Sequence, residues 1–264
     1  VALTFTETGE GTFNVNGRGV LHLAVLIENM RREGYELTIS RPRVIVKTLN
    51  GVRHEPVEIL IVDTPDFATG AVIELIGPRQ GAMQRMQSAA GRTVLEFVIP
   101  TRGLIGLRTR IVTASRGEAI IHHRFLRYEP VRGDIPQRIN GALISMEDGR
   151  ANAYALDGLQ DRGRFFVDPG EHCYAGQIVG EHNKDSDLVV NIQRAKKLTN
   201  IRAAGADRKL FYAPATRLSL EEALEYINAD ELVEATPEAI RLRKYYLSEV
   251  ERRRQRDRDW TCEE

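Results

Sequence analysis

The sequence has little of what defines several specialised classes of protein. Only two of its 264 residues are cysteines, Cys173 and Cys262, which are too few and too far apart for a disulfide scaffold or a zinc ribbon. We therefore expect a protein of the reducing cytoplasm. No apolar run approaches the ~18 residues that span a bilayer, so we expect no membrane segment. Net charge is absent as well, because 37 Lys and Arg offset 37 Asp and Glu, and this excludes a uniformly basic nucleic-acid coat.

Motifs for common catalytic chemistry are also missing. No G-x-x-x-x-G-K-[ST] sequence is present to cradle a nucleoside triphosphate. The segment Asn183-Lys184-Asp185 resembles a guanine-reading Asn-Lys-x-Asp motif, but its fourth residue is Ser186. His122 and His123 are adjacent on a predicted strand, so their side chains point to opposite faces and cannot share a metal ion. We therefore predict no catalytic residue, no metal site and no bound cofactor in this chain. His172 and Cys173 leave one alternative open, a free-standing metabolic enzyme that uses both side chains.

The first part of the chain, residues 1–47, predicts a strand-strand-helix-strand order. Two strands over 3–8 and 12–16 precede a helix that opens after Gly17-Arg18-Gly19, where apolar residues recur at helical spacing. A strand over 35–39 follows. This order is typical of the second part of a split βαβ sandwich.

The next segment, residues 48–130, predicts the order β-α-β-β-α-β. That order is typical of a ferredoxin-like module, with helices on one face of an antiparallel sheet. On its first strand we expect Val57, Ile59 and Ile61 to be buried together and Glu58 to lie on the other face. The predicted strands are 56–62, 82–88, 93–99 and 118–127, and the predicted helices are 68–77 and 103–115.

From Val131 onward, short apolar runs alternate with turns, which predicts a mostly-β region in the form of a small barrel or sandwich. One helix interrupts it, because Ser219 and Glu222 have the spacing of a capping box. Two short elements follow, around 231–236 and 239–247, and a basic tail begins at about residue 250. The predicted fold class is therefore α+β, with one or two helices in this last region.

A base-rich loop is the best candidate for a functional site. Residues 188–206 carry four basic side chains and no acid, within a segment 182–209 that also holds Thr, Asn and small residues. Basic side chains can contact phosphates, and Thr and Asn can hydrogen-bond riboses or bases. We therefore predict RNA binding here. The predicted contact residues are Lys184, Arg194, Lys196, Lys197, Thr199, Asn200, Arg202, Arg208 and Lys209.

Longer motifs resemble translational GTPases of the elongation factor G class. GRGVLHLAVLIENMRREGYELTISRPRV resembles their third domain, although Val20 stands where their motif has glutamate. The segment from Glu55 to Val131 resembles their fifth domain. Only about eight residues separate Lys47 from Pro56, which leaves no room for the fourth domain and points to the relatives that lack it, TypA/BipA and LepA.

Four further matches resemble TypA/BipA specifically, and the third of them opposes the LepA alternative. They are VIPTRGLIGLRTR (98–110), GLQDRG (158–163), KKLTNIRAAG (196–205) and ATPEAIRLRK (235–244). The resemblance implies a partial domain III over 1–47, a domain V over 48–130 and a TypA/BipA-specific C-terminal domain over 131–264.

The resemblance also implies a function. It predicts the C-terminal part of a ribosome-associated GTPase, with the GTP- and Mg²⁺-binding domain preceding Val1, and a role in ribosome assembly, translation and stress adaptation. The implied partners of this monomer are large-subunit rRNA, the stalk base and the aminoacyl-site tRNA. The fifth domain of the family faces the stalk base, which would place three arginines near rRNA: Arg79, Arg85 and Arg102.

Overall fold

The fold was obtained as a computed structural model, which describes residues 3–135, 138, 140–195 and 213–261, the last six of these by their backbone alone. The chain divides into two compact units. One comprises residues 42–137, and the other comprises residues 1–41 together with 138–264. Within the described ranges, no helix is long and apolar enough to cross a membrane.

The N-terminal segment follows the predicted order of elements. Strands β1 (Thr4–Gly9) and β2 (Thr12–Asn16) form an antiparallel hairpin. Helix α1 (Val20–Arg32) and strand β3 (Leu37–Ser40) come next. Helix α1 buries Ala24 and Ile27, and the chain leaves it through Gly34, whose φ of 96° suits a residue without a side chain.

The unit formed by residues 42–137 is a sheet with helices on one face. The elements are β4 (Lys47–Leu49), β5 (Val52–Pro65), α2 (Thr69–Ile76), β6 (Ala82–Ala89), β7 (Arg92–Pro100), α3 (Thr101–Leu104), α4 (Leu107–Ala114) and β8 (Ile120–Pro130). In the sheet, β8, β5, β7 and β6 lie side by side and all pairs are antiparallel, while β4 pairs with the first residues of β5. Short 3₁₀ turns, Asp66–Ala68 and Gly77–Arg79, flank α2.

The core of this unit corrects one prediction. Val57 and Ile59 are 3% and 8% exposed, so their predicted burial is confirmed, whereas Ile61 is only partly buried and that part of the prediction was wrong. Leu60 and Val62 are the residues of β5 that lie under α2 and α4. Because successive strand residues face opposite sides, Ile59 and Ile61 lie on the face of the sheet that α2 and α4 do not cover. Glu58 shares the helix-covered side, where its Oε1 accepts a 2.8 Å hydrogen bond from the Thr101 hydroxyl.

The other unit continues with a mixed sheet. The elements are β9 (Ala142–Ser145), β10 (Gly149–Arg150), α5 (Ala153–Leu159), β11 (Gly163–Phe165), β12 (His172–Cys173), β13 (Gln177–His182), β14 (Leu188–Val190), α6 (Leu220–Tyr226), β15 (Glu231–Ala235), β16 (Ile240–Lys244) and α7 (Glu249–Thr261). The strand order of the sheet is β14–β9–β13–β16–β15–β3, with β11 beside β13, and among these described strands only the β14–β9 pair is parallel. Strands β10 and β12 form a separate antiparallel pair.

Both faces of this mixed sheet are buried. Helices α1 and α6 cover one face, where Ile27 and Leu224 pack near Ile144 of β9. On the opposite face, Leu143 and Val179 pack in a second cluster with residues of α5 and β11. The capping box predicted for α6 is confirmed, because the backbone amide of Glu222 donates to Ser219 Oγ and Glu222 bonds back to the Ser219 amide. The described part of the last region has three helices, α5, α6 and α7, so the prediction of one or two was wrong. The fold as a whole is α+β.

Candidate nucleic-acid interface

Only two of the nine residues predicted to bind RNA have described positions, Lys184 in a turn before β14 and Arg194 at the start of the base-rich loop, which we define as residues 194–209. Lys184 and Arg194 are both exposed. Lys184 precedes β14 and Arg194 follows it, so the fold sets them at opposite ends of one strand rather than together. The remaining seven lie outside the described residues: Lys196, Lys197, Thr199, Asn200, Arg202, Arg208 and Lys209.

The chain is firmly held where it enters the base-rich loop. Asn191 Nδ2 donates to Glu147 Oε1 at 2.6 Å. Gln193 Nε2 donates to Ser145 Oγ at 2.9 Å and to the Glu147 carbonyl at 2.7 Å. Arg194 therefore follows directly on residues whose side chains are bonded to β9 and to the turn after it.

The chain is held equally well where it returns from the loop. The Ala215 amide donates to Asp168 Oδ1 at 3.1 Å, and the Thr216 amide donates to the Phe165 carbonyl at 2.8 Å. Arg217 Nη2 pairs with Asp168 Oδ2 at 2.6 Å and also with Glu171. The hydrogen bond from Arg217 to Glu171 is the main reason that the pKa of Arg217 is raised. Both ends of the loop are thus anchored in one unit.

Lys184 is presented by a tight turn after β13. The Gly141 amide donates to the Lys184 carbonyl at 2.6 Å, and the His182 amide donates to the Gly141 carbonyl at 2.8 Å. His182 Nδ1 lies 2.6 Å from the Ser186 carbonyl oxygen and closes the turn. A side chain at Gly141 would overlap the Ser186 carbonyl, so only glycine fits this close approach.

A buried ionic cluster stands beside this turn, and the sequence analysis missed it. Lys244 Nζ lies 2.7 Å from Asp187 Oδ2 and 2.8 Å from both Asp230 Oδ2 and Glu231 Oε1. Arg138 donates two hydrogen bonds of 2.9 Å to the Glu231 carboxylate, and its guanidinium lies near Asp187. The side chains of Lys244 and Glu231 are 2% and 0% exposed. We name Arg138, Asp187, Asp230, Glu231 and Lys244 the buried ionic cluster.

Mutual compensation keeps the cluster charged. Burial opposes ionisation of Asp187, but Lys244, the Ala142 amide and Arg138 together hold the pKa of Asp187 below its usual value. Burial likewise opposes the charged form of Lys244, and the three carboxylates outweigh it and raise the pKa of Lys244. These basic groups hold the Lys184 turn and the β15–β16 hairpin in place, and they are not surface charges.

A sequence signal for this cluster did exist. Glu231 alternates with Val233 and Ala235 along β15, and Lys244 alternates with Leu242 along β16, so both charges share a face with core residues. A charged residue in phase with an apolar strand face indicates a buried partner.

The three arginines predicted to contact rRNA differ in exposure. Arg79 is 8% exposed, and its Nη1 donates to the carbonyls of Gly103 and Ile105 at 2.8 and 2.7 Å. This burial gives Arg79 a structural role, so the RNA contact expected for it is not carried forward. Arg102 pairs with Glu55, which is buried, through Nε–Oε2 at 2.5 Å, and it also donates to backbone carbonyls. Arg85 is exposed on β6.

The residues weighed for metal or enzymatic chemistry form no such site. His123 Nδ1 lies 2.6 Å from Glu58 Oε2, and His122 is on the opposite side of β8. Across the part of the chain that the structure describes, no group of three or more His, Cys, Asp or Glu could hold a metal ion. Cys173 is fully buried, and this burial raises the pKa of its thiol to about 11, which disfavours the nucleophilic thiolate. The enzymatic alternative with His172 therefore gains no support.

Two protein families match adjoining parts of the chain. Residues 52–139 match the family described as the elongation factor G C-terminus. Residues 140–249 match the family described as the TypA/BipA C-terminal domain. The border between the two matches falls close to residue 138, where the two compact units divide.

Curated relatives share the same name. The chain is 50% identical over 241 residues to the large ribosomal subunit assembly factor BipA of Synechocystis sp., covering 90% of this chain and 40% of that relative. It is 50% identical to the protein of the same name from Bacillus subtilis, and the match covers 90% of this chain and 39% of that relative. It is 48% identical to the protein of the same name from Escherichia coli K12, and that match covers 96% of this chain and 42% of the relative. The chain thus spans about 40% of the length of the curated relatives it matches. A crystal structure of a Thermus thermophilus protein aligns over 30% of this chain and 12% of its own, with a TM-score of 0.28 and 22% identity, too little to support an argument.

Proposed function

Because the chain belongs to the TypA/BipA family, we propose that it is the ribosome- and RNA-binding C-terminal part of a translational GTPase of that family. The observation that carries the proposal is the adjoining pair of family matches, which together run from residue 52 to residue 249. The match over 140–249 favours TypA/BipA over the LepA alternative.

The name of the curated relatives supports a role in assembly of the large ribosomal subunit. We propose that this chain contributes docking rather than catalysis, and that GTP and Mg²⁺ are bound by a domain outside these 264 residues. The lack of a P-loop motif in the sequence is consistent with this division. A cytoplasmic location, a monomeric state and a part in stress adaptation belong to the same proposal.

The base-rich loop is the proposed RNA contact. The described residues on either side of it are anchored, at Gln193 before it and at Thr216 after it. Anchored ends reduce the conformational entropy that is lost when a loop binds a partner. The proposed partners of this loop are large-subunit rRNA and the aminoacyl-site tRNA.

Residues 48–130 are proposed to be a ferredoxin-like domain V. The antiparallel order β8–β5–β7–β6 and the packing of α2 and α4 on one face support this assignment. Arg85 is exposed and the Arg102 side chain is 25% exposed, so these two are the proposed contacts to rRNA near the stalk base.

The test is a salt series of binding to purified large ribosomal subunits. Each phosphate contact to single-stranded RNA contributes ~0.7 to the slope of log affinity against log salt, so K196A/K197A should flatten that slope by roughly 1 to 1.5. The matched control is R18A/R32A, which removes two exposed arginines near the ends of α1. Binding is read from sedimentation of the chain together with the subunit. If the two double variants change the salt slope equally, or if the chain does not sediment with the subunit, the proposal is wrong.

A further inference from the structure

A group of large apolar side chains is exposed where β16 ends and α7 begins. Tyr245 and Val250 are each 58% exposed, and Tyr246 and Leu247 are about 40% exposed. The two tyrosine rings contact each other edge to face, with centroids 4.9 Å apart. Exposed apolar side chains that are adjacent mark a binding surface more often than scattered ones do.

The backbone that carries these rings is clamped. Arg243 Nη1 donates to the Tyr245 carbonyl at 3.3 Å. Arg252 Nη1 donates to the carbonyls of Tyr246 and Leu247 at 3.0 and 2.6 Å. The Tyr245 amide is bonded as well, to the Asp230 carbonyl at 2.8 Å, which links the segment to the hairpin. The rings are therefore presented by a rigid support, which reduces the entropy lost on binding.

Basic residues flank the rings in sequence. Lys244 lies in the buried ionic cluster and Arg243 pairs with Glu234, so the positive charge near the rings comes from Arg252, Arg253 and Arg254, against Glu249 and Glu251. Arg253 and Arg254 are exposed on the first turns of α7, and Arg253 pairs with Glu249 at 2.5 Å. Exposed aromatic rings that exposed arginines follow closely along the chain match the chemistry of single-stranded nucleic acid, in which bases stack on rings and phosphates pair with guanidinium groups.

We propose that Tyr245, Tyr246, Arg253 and Arg254 form a second RNA-binding surface, which stacks the bases of single-stranded RNA. We name these four residues the tyrosine–arginine surface. It rests on the proposed function, since it assumes an RNA partner, but it involves none of the residues of the base-rich loop. The charge complementarity favours RNA over an apolar protein partner, because a protein interface is depleted of charge at its centre.

The test measures binding of the full chain to a fluorescein-labelled oligouridylate by fluorescence anisotropy. The oligonucleotide has about 12 nucleotides, a length within the usual range of single-strand binding sites. Stacking on an aromatic side chain corresponds to a loss of about 5- to 150-fold in affinity per base when the ring is removed. Y245A/Y246A should therefore bind at least about fivefold more weakly, whereas Y245F/Y246F should bind like the unchanged chain. R253Q/R254Q should flatten the salt slope by ~0.7 for each of the two arginines that pairs with a phosphate. The matched control is Y35A, which removes a tyrosine that is 55% exposed after α1.

The outcomes separate this surface from the base-rich loop. If Y245A/Y246A binds the oligonucleotide as tightly as the unchanged chain, or if the unchanged chain does not bind it, the proposed surface is wrong, and sedimentation with the large subunit still tests the loop. If K196A/K197A does not change binding to the large subunit while Y245A/Y246A weakens binding of the oligonucleotide, the loop proposal fails and this one stands. If the unchanged chain associates with itself, and Y245A/Y246A abolishes that association but leaves RNA binding intact, the surface binds a second copy of the chain. This result also overturns the proposal.

Discussion

Replacing Lys244 with methionine should destabilise the unit formed by residues 1–41 and 138–264. Methionine keeps most of the length of the side chain but removes the ammonium group that lies within 2.8 Å of Asp187, Asp230 and Glu231. Within the buried ionic cluster, Arg138 alone would then offset the three carboxylates. Breaking a buried ion pair by removing one partner costs about 3–5 kcal/mol, because the remaining charge stays buried and unpaired. We expect no more than the lower end, about 3 kcal/mol, since Glu231 keeps its two hydrogen bonds to Arg138 and Asp230 is 64% exposed and keeps its hydration.

Hydrogen exchange measured by mass spectrometry would test this prediction in each unit separately. A loss of about 3 kcal/mol should speed exchange of the most protected amides of β15 and β16 by more than about 100-fold. The amides of β5 and β7 belong to the other unit and serve as an internal reference. The matched control is R32M, because Arg32 forms only an exposed i,i+4 pair with Glu28, of a kind worth about 0.3–0.5 kcal/mol.

A small effect would refute the reasoning. If K244M and R32M speed exchange by the same factor, solvent screens the buried ionic cluster as well as it screens a surface pair. The burial of the cluster then adds nothing to the free energy of unfolding. If K244M speeds exchange equally in both units, the cluster does not act on one unit alone.

Three further predictions follow from buried groups. The lowered pKa of Asp187 contributes stability above about pH 4, and this stability is lost as the pH falls further. The raised pKa of Lys244 contributes stability that is lost as the pH rises above about pH 10. The melting temperature plotted against pH should therefore fall at both ends. A flat profile would contradict this. G141A should lower the melting temperature by several degrees through overlap at the turn, while G158A, with open space around it, should not. Iodoacetamide at about pH 8, near the ordinary pKa of a free thiol, should label Cys173 only in urea, as read by peptide mass; labelling in the native state would count against its burial.

Local patterns were enough to predict most of the elements. Helical spacing indicated α1, and the spacing of Ser219 and Glu222 indicated the start of α6, because each signal depends on neighbouring residues alone. The face of β5 could not be predicted in the same way. Its residues 59–62 are consecutive apolar residues, so the strand has no period-2 alternation from which to choose a side.

Long-range pairing was harder still. Strand β3 pairs with β15, although most of the chain separates the two strands in sequence. No local signal encodes such a partner, because the pairing depends on the whole sheet. The candidate site shows the same limit: composition identified the base-rich loop, whereas the anchors at Glu147 and Asp168 became evident only from the fold.

The most direct test of the central proposal is a cryo-electron microscopy map of the 264-residue chain bound to purified large ribosomal subunits. We expect density for residues 194–209 against RNA, with Lys196 and Lys197 within contact distance of phosphates. A map in which the chain is absent at low salt, or in which it contacts only ribosomal proteins and residues 194–209 face away from RNA, would contradict the proposal.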